Sequence, residues 1–236
     1  MPSERFEPRY AVYLTPAEPW YTVGNEWLDA GAIDRAAWTA APRHYGLHAT
    51  LKPPFRLAIG HTLQQLDDAL RALAVSCGPF NVALELKKLR EFLAWCPVNG
   101  QAALPALTKL ADSCVAHLDI FRAPSSMNEL ARRRRATLTP AQANNLSRWG
   151  YPYVFDTFVF HITLTGQLEP AALEAAEKLL QIRTPTDMMA VRAISLYVQP
   201  AEDAPFIVAR DYCFDGAVRD GVGAVCLSIV ADKRNE

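Results

Sequence analysis

The chain has 236 residues, 24 basic and 25 acidic side chains, a formal net charge of -1 and 50% hydrophobic residues. That balance describes one soluble globular unit, or two small lobes sharing a core, and excludes a disordered chain, a collagen-like repeat and a coiled coil. Near-zero net charge supplies no global field to hold a polyanion, which argues against a general nucleic-acid coat protein but leaves room for a local basic site.

Cys77, Cys96, Cys114, Cys213 and Cys226 are odd in number and form no Cys-x-x-Cys pair. The start, Met-Pro-Ser-Glu-Arg-Phe-Glu, has no apolar stretch behind a basic end. Both features predict a reducing compartment and a cytoplasmic protein. No run approaches the ~18 apolar residues that a spanning helix needs, so no membrane insertion is expected.

In chain order, Arg9-Tyr-Ala-Val-Tyr-Leu14 predicts a strand stopped by Thr15-Pro16, followed by helix-like stretches at Trp20 to Leu28 and Asp34 to Trp38. Leu47 to Pro53 reads as a strand. Thr62 then opens a helix carrying Leu63, Leu66, Leu70 and Leu73, which ends near Gly78-Pro79. Phe80 to Leu86 and Phe92 to Cys96 predict two strands around a turn at Lys87 to Glu91. A helical middle follows: Ala102 to His117, Glu129 to Arg135, and a helix capped by Thr139 with Pro140 at its first position.

The pattern then returns. Thr157 to Thr165 reads as a strand, Glu169 to Ile182 as a helix, and Met189 to Val198 and Pro205 to Cys213 as strands. The tetrapeptides His48-Ala-Thr-Leu51 and His161-Ile-Thr-Leu164, 113 residues apart, open the two strand-helix-strand-strand units. Repeats at about 47–97 and 157–213 predict an α+β fold, one domain over residues 1–236 with two pseudo-symmetric lobes around a central cleft. The tail, 216–236, is left unassigned.

Alternation along a strand puts His48, Thr50 and Lys52 on one face, and His161, Thr163 and Thr165 on one face of the second copy. If the polar faces meet, two imidazoles and two hydroxyls converge. A phosphodiester needs such a set, with a base on one side of phosphorus, an acid on the other, and donors for the non-bridging oxygens. Imidazole, with an ordinary pKa of ~6.5, serves either role near neutrality. A single His-x-Thr is more often structural, and it is the recurrence of the tetrapeptide at matched places in a repeat that favours chemistry.

Other residues are weighed more evenly. Lys52 is read as a phosphate contact or a solvated lysine, with Arg56 a weaker candidate. Arg132 to Arg135 could contact a substrate phosphate, but four consecutive arginines point all round a helix, so a solvated or carboxylate-paired face is the favoured reading. Arg122 and the aromatics from Trp149 to Tyr153 precede the second motif, where they stack on a base or pack a loop. His44, His61 and His117 read as structural, and only Asp156 lies close before the second motif, so no metal and no cofactor are expected.

Paired His-x-Thr-hydrophobic motifs in two strand-helix-strand-strand units resemble the two-histidine (2H) phosphoesterase superfamily, which includes RNA ligase-like proteins and cyclic phosphodiesterases. Longer strings, among them Arg9-Tyr-Ala-Val-Tyr, Tyr45-Gly-Leu-His-Ala-Thr-Leu-Lys-Pro-Pro-Phe-Arg-Leu57, Phe121-Arg-Ala-Pro, Trp149-Gly-Tyr-Pro-Tyr-Val-Phe-Asp and Phe160-His-Ile-Thr-Leu-Thr-Gly, resemble the uncharacterised branch often encoded with bacterial phosphonate-utilisation genes. That similarity runs from about Arg9 to Phe214. It implies a bilobal fold and metal-free phosphoester chemistry, with His48, Thr50, His161 and Thr163 as the active-site quartet; with the strand-face reading of Lys52 added, His48 and His161 are expected to be catalytic and Thr50, Thr163 and Lys52 to bind the substrate phosphate. The expected enzyme is a phosphoric diester hydrolase acting on a small phosphorylated substrate. The alternatives are an enzyme that processes RNA 2′,3′-cyclic phosphate or 2′-5′ ends, and a non-catalytic phosphate-ligand-binding module.

Overall fold

The computed structural model describes residues 7–29, 33–133 and 137–227. The strands are β1 (Arg9–Leu14), β2 (Ala49–Arg56), β3 (Phe80–Val82), β4 (Leu84–Leu89), β5 (Phe92–Pro97), β6 (Ile162–Thr163), β7 (Met189–Val191), β8 (Ala193–Gln199), β9 (Ile207–Cys213) and β10 (Val218–Asp220). The helices are α1 (Trp20–Asp29), α2 (Ile33–Tyr45), α3 (Leu63–Val75), α4 (Leu104–His117), α5 (Met127–Arg133), α6 (Pro140–Trp149) and α7 (Pro170–Gln181). The fold is α+β and built on one antiparallel eight-stranded sheet of order β10-β9-β8-β1-β2-β6-β5-β4, with β3 and β7 pairing as a separate ribbon.

The helix starts follow local chemistry. Thr62 and Thr139 each accept a hydrogen bond from the backbone N–H three residues on, and Gln65 and Gln142 reach back to the cap, so two otherwise orphaned donors are satisfied at each end. Gly150, at φ 72°, closes α6 in the left-handed conformation that costs glycine least.

The two strands that carry the histidine motifs are neighbours at the middle of the sheet, with Ala49 opposite Ile162, the same position in each tetrapeptide. Outward from that seam the order is β6-β5-β4 on one side and β2-β1-β8-β9-β10 on the other. The strand beside the second repeat's β8 is therefore β1, occupying the place that β5 holds beside β4. The expected match of Phe92 to Cys96 with Pro205 to Cys213 is corrected accordingly: β9 lies outside β8. Sequence order could not reveal this, because β1 comes from outside either repeat.

Three expected strands are also redrawn. Phe80 to Leu86 divides at Ala83 and Met189 to Val198 divides at Arg192, each sending its first half into the β3–β7 ribbon. The expected strand from Thr157 to Thr165 is a short 3-10 turn at Phe155–Thr157 and the two-residue β6.

One face of the sheet is covered by α3, α4 and α7, and the main core fills that layer. Tyr10, Val12 and Leu14 of β1 point into it, while Ala11 and Tyr13 join Tyr197 and Phe206 in a smaller cluster on the other face. Complete burial of Trp20, Trp95, Leu66 and Leu70 contributes on the order of 2 kcal/mol per side chain. Asp67 on α3 joins the layers by accepting from Arg210 and Tyr212 of β9, at 2.6 and 2.7 Å, and from Arg71. Burial alone would raise its carboxyl, but the donors from Arg71, Tyr212 and Arg210 outweigh that and hold it below the ordinary carboxylate range.

Among the described residues no helix is long and apolar enough to cross a membrane. The side chains of Arg132 to Arg135 and the tail beyond residue 227 lie outside the described residues.

Candidate active site

On the face away from α3 and α4, a cleft of about 580 Å³ opens at the β2–β6 seam. His48, Thr50 and Thr163 line it, with Arg9 and Tyr13 from β1, Tyr45 from the end of α2, Phe92 from β5 and Tyr151 from the loop after α6. His161 lies beside Phe92, with ring centroids 6.0 Å apart, and its charge acts on His48. Three of the four predicted quartet residues thus line one cleft and the fourth sits within electrostatic reach of it.

Each imidazole is held in the same way. Nδ1 of His48 lies 2.8 Å from the Gly46 carbonyl and Nδ1 of His161 lies 2.8 Å from the Val159 carbonyl, two residues back in each case. A carbonyl oxygen only accepts, so Nδ1 carries the proton of the neutral ring and Nε2 keeps its lone pair. The Thr50 hydroxyl lies 3.1 Å from Nε2 of His48 and can donate to it.

The two rings differ in surroundings. Tyr13 stacks on His48 with centroids 3.7 Å apart and planes 17° apart, and Tyr197 stands 6.2 Å away. Burial lowers His48 to about 4; the Gly46 carbonyl opposes this and His161 adds to it. Burial also lowers His161, opposed by the Val159 carbonyl. The Tyr13 hydroxyl is held well above the ordinary phenol range, chiefly by burial, so this ring is a neutral platform at any physiological pH.

Lys52 is a correction. Its side chain is 1% exposed and leaves the sheet on the opposite face, where Nζ donates to Asp119 and to the Val115 carbonyl of α4, each at 3.3 Å. The cause is a β-bulge: Tyr13 faces Thr50 and Val12 faces Lys52, so Leu51 is an extra residue and the alternation inverts. The second motif breaks at the matching residue, since Leu164 and Thr165 both donate to the Leu93 carbonyl. Thr165 touches the cleft, but its hydroxyl accepts from the Leu93 N–H.

Of the other candidates, Arg56 pairs with Glu129 at 3.6 Å and Arg122 grips Asp119 through two nitrogens. Trp149 packs on Phe155, while Tyr151 reaches the cleft. His61 leans on Phe121, Nδ1 of His117 bonds the Ser113 carbonyl, and His44 lies among Tyr45, Phe206 and Gln199. Asp156 accepts from Asn145. Among the described residues no three His, Cys, Asp or Glu side chains converge as a metal site would require.

Sequence reasoning missed Arg9, Tyr13 and Tyr45 as cleft residues. The period-2 run Arg9, Ala11, Tyr13, Thr15 was legible, but which strand it lies beside was not.

The family described as "protein of unknown function (DUF1045)" matches residues 50–207. The chain is 34% identical over 234 residues to ribose 1,5-bisphosphate phosphokinase PhnN of Janthinobacterium sp. (strain Marseille), with 88% of this chain and 51% of that protein covered. It is 33% identical over 220 residues to the protein of the same name from Laribacter hongkongensis, with 86% and 51% covered. The chain spans about half the length of the curated relatives it matches.

Proposed function

The chain belongs to the DUF1045 family of proteins of unknown function, and from that premise and the cleft we propose that it is a metal-independent phosphoesterase. It opens the cyclic phosphodiester of a small sugar phosphate or nucleotide-like molecule, with a place in phosphonate metabolism. The observation that carries this reading is the matched pair of imidazoles, each tied through Nδ1 to the carbonyl two residues earlier and each followed by a threonine that lines the cleft. The seam between identical motif positions, and a strand order that runs β5-β4 from one side and β1-β8 from the other, support a bilobal two-histidine phosphoesterase-like arrangement.

In the proposed step His48 is the general base, since its lowered pKa keeps Nε2 unprotonated at neutral pH. It takes a proton from water, whose oxygen forms the new bond to phosphorus. The bond from phosphorus to one ring oxygen breaks, and His161 gives its proton to that oxygen. The bound phosphodiester anion favours the protonated form of His161 beforehand. Thr163 donates to the non-bridging oxygens as charge gathers there, and Thr50 does so as well once its hydroxyl turns from Nε2 of His48 to the phosphate, which frees that nitrogen for the water proton. The product is a phosphomonoester.

The relatives' name suggests which sugar to test first. Hydrolysis of the P–O2 bond of ribose 5-phosphate 1,2-cyclic phosphate yields ribose 1,5-bisphosphate, the compound in that name. The kinase half of the name is not carried to this chain. No glycine here is followed by lysine, so the chain has no Gly-x4-Gly-Lys-Ser/Thr phosphate loop.

The test is a panel of ribose 1,2-cyclic phosphates, nucleoside 2′,3′-cyclic monophosphates and oligoribonucleotides with cyclic ends, assayed before and after exhaustive chelation. Turnover of small esters that survives chelation supports the proposal. Turnover of oligonucleotides alone makes the protein an RNA end-processing enzyme. Binding without turnover makes it a ligand-binding module, and activity restored by one metal defeats the metal-free step.

A further inference from the structure

Arg9 stands on the cleft face of β1, four residues before the tyrosine that stacks on His48, and it lines the same cleft. It is the one arginine or lysine among the described residues that line the cleft, now that Lys52 is placed on the other side of the sheet.

Among the described residues, the groups that hold it are neutral. Nε donates to Oε1 of Gln199 at 2.6 Å, and the guanidinium lies 5.6 Å above the Phe206 ring. Gln199 is 1% exposed and is itself fixed by donating to the Ala204 carbonyl at 2.8 Å. The anchors are a neutral amide and an aromatic face, and among the described residues no carboxylate pairs with Arg9. Arg56, Arg122 and Arg210, by contrast, each meet a carboxylate. A guanidinium oriented by neutral groups keeps its remaining donors, in fork geometry, for an external anion.

Position along the strand sets what that anion is. Four residues of extended chain put Arg9 roughly 13 Å from Tyr13, Cα to Cα, and both side chains lean into the cleft. Between them lies Ala11, fully buried in the cluster it forms with Tyr13, Tyr197 and Phe206. We propose that Arg9 binds a second anionic group of the substrate, a phosphomonoester separated from the reacting diester by a spacer of about one pentose, and so selects doubly phosphorylated small molecules. This rests on the phosphoesterase reading for the place of the reacting group, but not for the existence of the anion subsite.

The test is calorimetric binding of ribose 1,5-bisphosphate and ribose 1-phosphate to the wild-type protein, Arg9→Gln and Arg9→Lys. The wild type should prefer the bisphosphate by roughly 10- to 100-fold, as a charge-assisted arginine–phosphate contact implies. Arg9→Gln should abolish that preference while ribose 1-phosphate binding changes less than about twofold, and Arg9→Lys should keep part of it. Equal wild-type affinity for the two compounds, binding of neither, or a preference that survives in Arg9→Gln overturns the proposal. Turnover of cyclic phosphates by the same preparation reports separately: turnover without bisphosphate preference removes Arg9 and keeps the phosphoesterase, and preference without turnover does the reverse.

Discussion

Moving from pH 7 to pH 5 should destabilise the fold by about 2 kcal/mol through His48 alone. In the unfolded chain this imidazole titrates near the ordinary 6.5, while in the fold burial lowers it to about 4. Between those values the unfolded state binds a proton that the folded state refuses, so stability falls as pH falls through the window and levels off below about 4. Integrated between pH 7 and pH 5, at ~1.4 kcal/mol per pH unit, the loss is about 2 kcal/mol. The assay is urea unfolding of the wild type and His48→Gln at both pH values. The variant keeps a polar side chain of similar size but does not titrate, so groups elsewhere cancel in the comparison. The wild type should lose about 2 kcal/mol more than the variant. Equal losses would mean that His48 titrates normally in the fold, and the argument that makes it the base would collapse.

Three further outcomes can be checked with the same preparations. His48→Ala and His161→Ala should each lower turnover roughly 10²- to 10⁴-fold, and the double variant should lose far less than the product, because both groups serve one step; near-full activity in either single variant refutes the pairing. Lys52→Met should cost roughly 1–3 kcal/mol in urea unfolding yet leave kcat/KM within about twofold, since Nζ bonds Asp119 and Val115 and not the cleft; a tenfold kinetic loss at unchanged stability would return Lys52 to the substrate. Asp67→Asn should destabilise by about 3 kcal/mol at pH 7 with unaltered kinetics, because it removes the charge that Arg71, Tyr212 and Arg210 converge on. Since that carboxyl sits below its unfolded value, the penalty should shrink as pH falls through its folded pKa, and a penalty that stays constant down to acid pH would show that the charge is not what matters.

Much of the site was legible because it is local. A histidine followed by threonine, with apolar residues between and after, specifies a strand edge with one polar face, and its recurrence 113 residues later marks a repeat. The helix caps at Thr62 and Thr139 were legible for the same reason, since a cap is chemistry between residues three apart. The α+β class followed from the alternation of such segments.

What lay beyond the sequence is what depends on neighbours from far along the chain. Lys52 was placed by counting in twos from His48, and the count failed at Leu51, where β1 pairs across a bulge that only the register reveals. Arg9 and Tyr13 became cleft residues because β1 enters the sheet between β2 and β8, a choice made by packing apolar Tyr10, Val12 and Leu14 against helices that come later in the chain. The sequence by itself determined the recurring His-x-Thr motifs and the local segments that present them. The tertiary structure alone decided which faces meet, because strand pairing and burial are settled between segments tens to hundreds of residues apart, where no periodicity in the sequence records the partner.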